Sequence, residues 1–439
     1  MAKYIIEGGV PLRGTVQIPG AKNAGFKLMI ASLLSDEMSI ISNIPYIRDV
    51  VAVKKIIEAL GAKVEFSDDT MQISGGINNF EVPEELGIRS RASFMYLPAL
   101  LHRFKKGKVN VPVGDKIGER PINWFLEGLQ KMGATVSMHD GLIEAQAPIG
   151  LSGAEYEFPK NTHTGTEGLI MAATLARGKT VIKNAATEPE IDDLISFLGK
   201  MGAKVKRVKP REIEVQGVGS LKGAVHKVMP DRNEVVTFGC MALGTQGEIE
   251  INDLNTDHVR SFIKKIKEAG GSINEQKNKL TVRYEKNLSE TNIATQAYPG
   301  FMTDWQSLWA ALMTQADGES IVHETVFESR FGYVPSLEKM GAEIELFKPS
   351  VANPEKNYNF EWNEETAALP HAAKIFGPRK LHGSNLEVTD IRSGATLVFA
   401  ALMAEGKSEI TGVEHIERGY EDLEGRLERL GAKIMRKED

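Results

Sequence analysis

Apolar positions along the chain fall into two alternating helical registers. Segments 28–34, 94–101, 169–175, 236–243, 308–313 and 397–403 are rich in Ala and Leu on most faces, the pattern of a helix buried on all sides. After each, a Gly or acidic turn leads into a short strand such as Thr180-Val-Ile, Glu248-Ile-Glu-Ile or Ser320-Ile-Val. A second, amphipathic helix follows and ends in a recurrent phrase. The six instances are Leu60-Gly-Ala-Lys-Val, Met132-Gly-Ala-Thr-Val, Met201-Gly-Ala-Lys-Val, Ala269-Gly-Gly-Ser-Ile, Met340-Gly-Ala-Glu-Ile and Leu430-Gly-Ala-Lys-Ile. Each glycine suits the position just past a helix, where a left-handed backbone is needed, and the β-branched residue after it opens a strand.

These phrases recur at spacings of 72, 69, 68, 71 and 90 residues, which marks an internal repeat. Two helix types per unit exclude a thin solenoid. They predict two globular lobes of three units each, with the apolar helices inside and sheets around them. The last spacing is longer by about 20 residues, and the excess falls in a Pro, Asn and Glu-rich stretch beginning Lys348-Pro-Ser-Val-Ala-Asn-Pro. An inserted surface loop is expected over 348–385.

Composition narrows the class without naming a chemistry. The 439 residues are 42% hydrophobic and 26% charged, with a formal net charge of −6, so a globally basic nucleic-acid footprint is excluded. One cysteine, Cys240, allows no intrachain disulfide and no Cys-x-x-Cys metal or redox motif. The nine histidines form no i, i+4 pair, so no metal site is expected. Met1-Ala-Lys-Tyr-Ile-Ile-Glu lacks a signal-peptide core, and the longest apolar run, 397–404, is far short of the roughly 20 residues of a spanning helix. A cytoplasmic protein is expected. Gly217-Val-Gly219-Ser-Leu-Lys-Gly223 has the wrong spacing for a dinucleotide loop and reads as a turn.

Cations gather where the repeat units join. Lys22-Asn23 follows Pro19-Gly20 at the predicted start of the first buried helix, and Arg91-Ala-Ser opens the second. Arg120-Pro121 ends a loop with Gly114 and Gly118 as hinges, while Arg330, Arg392 and Arg418 follow Glu328, Asp390 and Glu417. Helix N-termini carry free N–H groups and the positive end of the dipole, so cations collected there make an anion trap. Pairing of each Arg with its neighbouring acid on a solvated surface is the plainer alternative.

Eight motifs occur in order: Ile18-Pro-Gly-Ala-Lys22-Asn23-Ala, Arg91-Ala-Ser, Ile117-Gly-Glu-Arg120-Pro, Pro230-Asp-Arg232, Met302-Thr-Asp304, Glu324-Thr-Val-Phe-Glu328-Ser-Arg330-Phe, Thr389-Asp-Ile-Arg392 and Glu417-Arg418-Gly-Tyr. Together they resemble the UDP-N-acetylglucosamine 1-carboxyvinyltransferases, of the enolpyruvyl transferase family, over essentially the whole chain except the inserted loop. The resemblance implies an inside-out α/β barrel of two lobes, each of three βαβαββ units around buried helices. One lobe would be 22–229, carrying a mobile loop at 112–121; the other would combine 1–21 with 230–439. The sister enzyme acting on shikimate 3-phosphate usually has Lys-Ser at the first motif and an Asn-Ala-Gly-Thr phrase before its Arg, and neither occurs here. RNA 3′-phosphate cyclases share the architecture but need a C-terminal nucleophilic His, for which His415 is the sole candidate.

In that family the sugar 3′-hydroxyl adds to C2 of phosphoenolpyruvate while C3 is protonated, and loss of phosphate leaves the enol ether. The resemblance implies Lys22, Arg120 and Arg418 on the phosphate of phosphoenolpyruvate, Arg330 and Arg392 on its carboxylate, and Asn23 beside both substrates. UDP-N-acetylglucosamine would meet Asn23, Arg91, Arg120, Pro121, Ile122, Asn123, Trp124, Lys160, Thr162, His163, Asp304 and Val326. Asp304 would take the hydroxyl proton, with an N-cap before Trp305 as its alternative role; Lys22 would join the catalytic set. No metal or organic cofactor is implied.

Departures from the family are informative. Many members carry a loop Cys, in Gly-Cys-x-Ile-Gly, as general acid and as the site alkylated by fosfomycin; here the phrase is Gly114-Asp115-Lys-Ile-Gly. Asp115 can serve as the acid if its pKa is raised from about 3.9. Asn123-Trp124 replaces the usual Asp-Leu, and Lys160-Asn-Thr162-His163-Thr differs from a phrase that usually reads Ser-Val-Gly after the Lys region. These positions leave two further readings open: enolpyruvyl transfer to another nucleotide, and a silent paralogue that only binds the sugar nucleotide.

Overall fold

Each of the six predicted Gly-Ala phrases ends a helix in the computed structural model, which describes residues 2–88, 90–111, 118–119 and 121–438. The glycines 61, 133, 202, 270, 341 and 431 all have φ between 86° and 105°. That left-handed turn lets the chain leave an amphipathic helix and enter a strand at once. The helices so ended are Arg48–Ala59, Asn123–Lys131, Pro189–Lys200, Arg260–Glu268, Val334–Lys339 and Leu423–Arg429.

The all-round apolar segments become six buried helices: Lys22–Ser32, Leu97–Phe104, His163–Thr174, Arg232–Gly244, Gln306–Met313 and Ile391–Met403. All eight residues of Gln306–Met313 are buried, as expected of a helix with no polar face. Around them stand six small sheets with one recurring plan. The strand after the buried helix pairs antiparallel with the second strand of a hairpin and parallel with a short edge strand. In the third repeat, for example, Lys179–Lys183 lies between Glu212–Gln216 and Glu155–Glu157. In the second repeat a single parallel bridge, Glu81 to Lys108, replaces the edge strand.

The chain divides into two compact units. One comprises Met1–Pro19 and Pro230–Asp439 and the other Gly20–Gly114 and Arg120–Met229, while the described residues Gly118 and Glu119 group with the first. Each unit has its own continuous apolar core and three of the sheets. The N-terminal strand Lys3–Glu7 belongs with the C-terminal repeat because it fills the centre of that sheet, between Lys407–Thr411 and Lys433–Lys437.

The long fifth repeat differs from the expected loop over 348–385. Ala372–Gly377 is the central strand of its sheet, paired with Gly318–His323 and Glu343–Phe347. The extra residues therefore replace a hairpin turn and span only 348–371. They are also packed. Tyr358 stacks on Trp362 at 4.8 Å between ring centroids, and Tyr358, Phe360 and His371 are buried. Aromatic residues at every second position gave the segment an apolar period that its Pro and Asn content obscured.

Candidate active site

In the first unit, charged side chains converge on one carboxylate. Asp304 lies in a short 3₁₀ turn, Thr303–Trp305, that leads into the buried helix Gln306–Met313. Its Oδ1 receives Arg392 Nε at 3.0 Å and Arg330 Nη2 at 3.4 Å. Arg392 is the second residue of the helix Ile391–Met403, whose first N–H groups are capped by the Asp390 side chain. Asp390 and Glu328 are therefore not the counter-ions of the arginines that follow them; Asp304, distant in sequence, is. Burial alone would raise the Asp304 pKa, but the charges of Arg392 and Arg330 outweigh it and hold the carboxyl well below the usual range.

Buried polar contacts fix this arrangement. The Glu324 carboxylate accepts from Thr303 Oγ1 at 2.9 Å and from the backbone N–H of Val326 at 2.8 Å and Phe327 at 3.1 Å. It thereby ties the turn bearing Asp304 to the loop bearing Val326, Glu328 and Arg330. Burial raises the Glu324 pKa despite the Arg330 charge and these hydrogen bonds. Trp305 Nε1 donates to Asn233 Oδ1 at 2.9 Å, joining the turn to the helix that Arg232 opens and Asp231 caps. The Arg232 guanidinium lies 5.4 Å from the Tyr298 ring centroid and 5.9 Å from that of Trp305. Tyr420 accepts from Arg392 Nη1 at 3.4 Å and bonds Thr237 Oγ1 at 2.8 Å. Arg418 is half-buried beyond the short helix Val413–Ile416, and its neighbour Glu417 pairs with Arg436 at 3.0 Å. Glu328 accepts the backbone N–H of Glu119; its pKa is raised by burial.

In the second unit the described charges stand at the starts of several helices. Lys22, the first residue of its buried helix, meets Asp49 Oδ2 at 2.7 Å, and Asn23 follows it. Arg91 is half-buried two residues before the turn Ser93–Tyr96 that leads into Leu97–Phe104. Thr162 caps His163–Thr174, its hydroxyl accepting from Gly165 N at 3.2 Å, and half-buried Lys160 lies two residues upstream. Ile122 is the N-cap of Asn123–Lys131; Pro121 and Asn123 are exposed and Trp124 is half-buried. The expected Asp115 and Arg120, with 112–117, lie outside the described residues.

Every buried helix thus starts at or within two residues of a polar residue singled out in the sequence or paired here: Lys22, Arg91, His163, Arg232, Asp304 and Arg392, if the short turns leading into the second and fifth helices are counted with them. Sequence reasoning missed Glu324, Lys27 and Glu167. The last two had a visible signal: each is a lone charge inside an otherwise apolar helix, which demands a partner.

The model of the family described as EPSP synthase (3-phosphoshikimate 1-carboxyvinyltransferase) matches residues 6–427. The chain belongs to this family. Among its relatives, the UDP-N-acetylglucosamine 1-carboxyvinyltransferase of Trichlorobacter lovleyi is 40% identical over 437 residues, covering 99% of both chains. The UDP-N-acetylglucosamine 1-carboxyvinyltransferase 1 of Caldanaerobacter subterraneus is 41% identical over 435 residues, again covering 99% of each. The enolpyruvyl transferase NikO from Streptomyces tendae shares the fold with a TM-score of 0.84 at 23% identity, over 99% of this chain and 98% of that one. An EPSP synthase from Acinetobacter baumannii does so at 0.73 and 16%, over 100% of each. The architecture is the inside-out α/β fold of the enolpyruvyl transferases, and the chain is a carboxyvinyltransferase on the branch that the eight motifs indicated.

Proposed function

We propose that this protein transfers the enolpyruvyl group of phosphoenolpyruvate to the 3′-hydroxyl of UDP-N-acetylglucosamine, releasing phosphate, as a cytoplasmic step of peptidoglycan synthesis. The Asp304–Arg330–Arg392 cluster carries the reading. A carboxylate held by two guanidiniums from separate elements is a rehearsal of how those guanidiniums would hold a substrate carboxylate. Phosphoenolpyruvate entering there replaces Asp304 as counter-ion. Freed from two cations, Asp304 regains basicity and takes the acceptor hydroxyl proton as oxygen adds to C2. Asp115 supplies the proton to C3. The departing phosphate takes up the proton held by Asp304, and Asp304 then accepts a proton from C3 as the double bond of the ether product forms, both carboxyls returning to their starting states by exchange with solvent. Lys22, Arg120 and Arg418 stabilise the phosphate, and Asn23, Arg91, 121–124, Lys160, Thr162, His163 and Val326 hold the sugar nucleotide, following the family resemblance.

The substitutions at 123–124 and 161–164 favour a second reading, with UMP or another nucleotide as acceptor. Phosphate release measured with UDP-N-acetylglucosamine, UMP and shikimate 3-phosphate separates them. Turnover with the sugar nucleotide alone is expected. Turnover with UMP alone would select the second reading, and tight binding of the sugar nucleotide without phosphate release would indicate a silent paralogue.

A further inference from the structure

If Asp304 is to leave Arg392 when substrate arrives, another group must keep the guanidinium in place. Tyr420 stands at a different edge of it. Tyr420 is buried, and its hydroxyl lies 3.4 Å from Arg392 Nη1 and 2.8 Å from Thr237 Oγ1. Its ring centroid is 6.0 Å from the guanidinium carbon. Thr237 Oγ1 in turn lies 3.0 Å from the Asn233 carbonyl oxygen, one turn back along the buried helix Arg232–Gly244.

The ends of this chain fix the direction of each proton in it. A guanidinium only donates and a carbonyl oxygen only accepts. The Thr237 hydroxyl therefore gives its proton to Asn233, the Tyr420 hydroxyl gives its own to Thr237, and the Tyr420 oxygen accepts from Arg392. Burial raises the Tyr420 pKa despite the Arg392 charge, so the phenol keeps the proton that this order requires. Asn233 also accepts from Trp305 Nε1 through its side chain at 2.9 Å, and Trp305 adjoins Asp304. One residue thus anchors both the carboxylate and the guanidinium that it meets. The two partners of Arg392 act differently on its charge. Asp304 meets Nε at 3.0 Å and neutralises it, whereas a neutral phenol orients the group and leaves its charge to an incoming anion. Nη1 is the nitrogen on the Cδ side, so the Tyr420 contact leaves the Nε–Nη2 edge, at which Asp304 now sits, to a substrate carboxylate.

We propose that Tyr420, aligned by Thr237, is a positioning residue that holds Arg392 for the carboxylate of phosphoenolpyruvate once Asp304 lets go. The inference rests on the enolpyruvyl-transfer reading above. Tyr420→Phe removes one oxygen and keeps the ring. Its Kd for phosphoenolpyruvate alone, by calorimetry, should weaken about tenfold, the low end for a hydrogen bond to a charged group, because the contact is long. The KM for phosphoenolpyruvate should rise by the same factor, while kcat and the Kd for UDP-N-acetylglucosamine hardly change. Thr237→Val takes away the acceptor of the Tyr420 proton and should weaken phosphoenolpyruvate binding about threefold, as for one neutral hydrogen bond. Thr237→Ser should restore the parent value. Tyr420→Phe/Thr237→Val should lose no more than Tyr420→Phe alone, because both changes break one chain. Parent-like phosphoenolpyruvate affinity in Tyr420→Phe, additive losses in the double variant, or equal losses for both substrates would each overturn the proposal. Should Tyr420→Phe fold poorly, the Thr237 pair decides: a loss in Thr237→Val that Thr237→Ser recovers supports the proposal, and equal affinities overturn it. Binding is read without turnover. A parent that binds phosphoenolpyruvate but releases no phosphate defeats the catalytic reading alone, and one that does not bind it defeats both.

Discussion

The two units carry similar residues at the starts of their buried helices but arrange the charge in opposite ways. In the unit of 1–19 and 230–439, Arg330 and Arg392 share the single carboxylate of Asp304. In the other, Lys22 pairs with Asp49, and Lys27 pairs with Glu167, which also faces His163. A carboxylate shared between two cations leaves positive charge over and is exchangeable, since another carboxylate can take its place without stranding a buried ion. A lysine beside one carboxylate leaves less net positive charge, so an arriving anion has to draw it away from that carboxylate. The first arrangement suits binding and activating a small anion.

Two carboxylates offer the hardest ways to break this contrast. If Asp304 is a base released by substrate, Asp304→Ala should lower kcat by about 10²–10⁴-fold. Activity within threefold of the parent would leave Asp304 as a counter-ion only. Asp115→Ala should lose a comparable factor if that residue protonates C3. A carboxylate is also a far weaker nucleophile toward an epoxide than a thiolate, and Cys240, the sole thiol, is buried with its pKa raised by that burial. The parent should therefore keep its activity and its mass after long incubation with fosfomycin and sugar nucleotide. Asp115→Cys should become sensitive and gain one adduct, and time-dependent inactivation of the parent would show that 112–121 is not the family's loop.

Replacing either guanidinium sharpens the contrast with a smaller effect. Arg330→Ala or Arg392→Ala should remove about 2–4 kcal/mol of transition-state stabilisation, roughly 30- to 1,000-fold in kcat/KM for phosphoenolpyruvate. Sugar-nucleotide affinity should hardly change. An equal loss for both substrates would mean that the cluster is not specific to the smaller anion.

Much of this was legible in the sequence because repetition averages out local ambiguity. One Gly-Ala phrase is weak, but six in register define where amphipathic helices end, and the segments before them define the buried helices. The Asp304–Arg392 contact was visible only through family motifs, since 88 residues separate the partners and no periodicity links them. The adjacent acids misled for a physical reason: Asp390 is occupied as a helix cap, the common use of an acid just before a helix. The strand Ala372–Gly377 was hidden because its hairpin partner lies beyond a packed 348–371 segment rather than a short turn. Lys27 and Glu167 could have been paired from their solitary charge alone, but the chain offers no spacing that says which buried helix faces which.

The smallest effect concerns how each unit responds to acid. His102, in the buried helix Leu97–Phe104 of the second unit, bonds the Ala172 carbonyl through Nε2 at 2.8 Å. Burial, aided by the Lys105 charge and opposed by that hydrogen bond, lowers its pKa to about 4. An unfolded histidine titrates near about 6.5. Between those values the unfolded chain binds the extra proton, so the contribution is fully present above pH 6.5 and is lost as pH falls toward 4. Asp304 has the opposite chemistry: its depressed pKa contributes stability that begins to fade only below the ordinary carboxylate value of about 3.9. From pH 7.5 to 5, the packing around His102 should therefore soften while the Asp304 cluster holds. His102→Gln keeps a donor for the Ala172 carbonyl but does not titrate. Its melting temperature should fall less over that range, with each kcal/mol of difference read as about 2–4 °C for a unit of this size. Amide exchange in 97–104 and 163–174 should speed up on acidification in the parent more than in the variant. Identical slopes of melting temperature against pH in the two proteins would remove His102 as the source of the contrast.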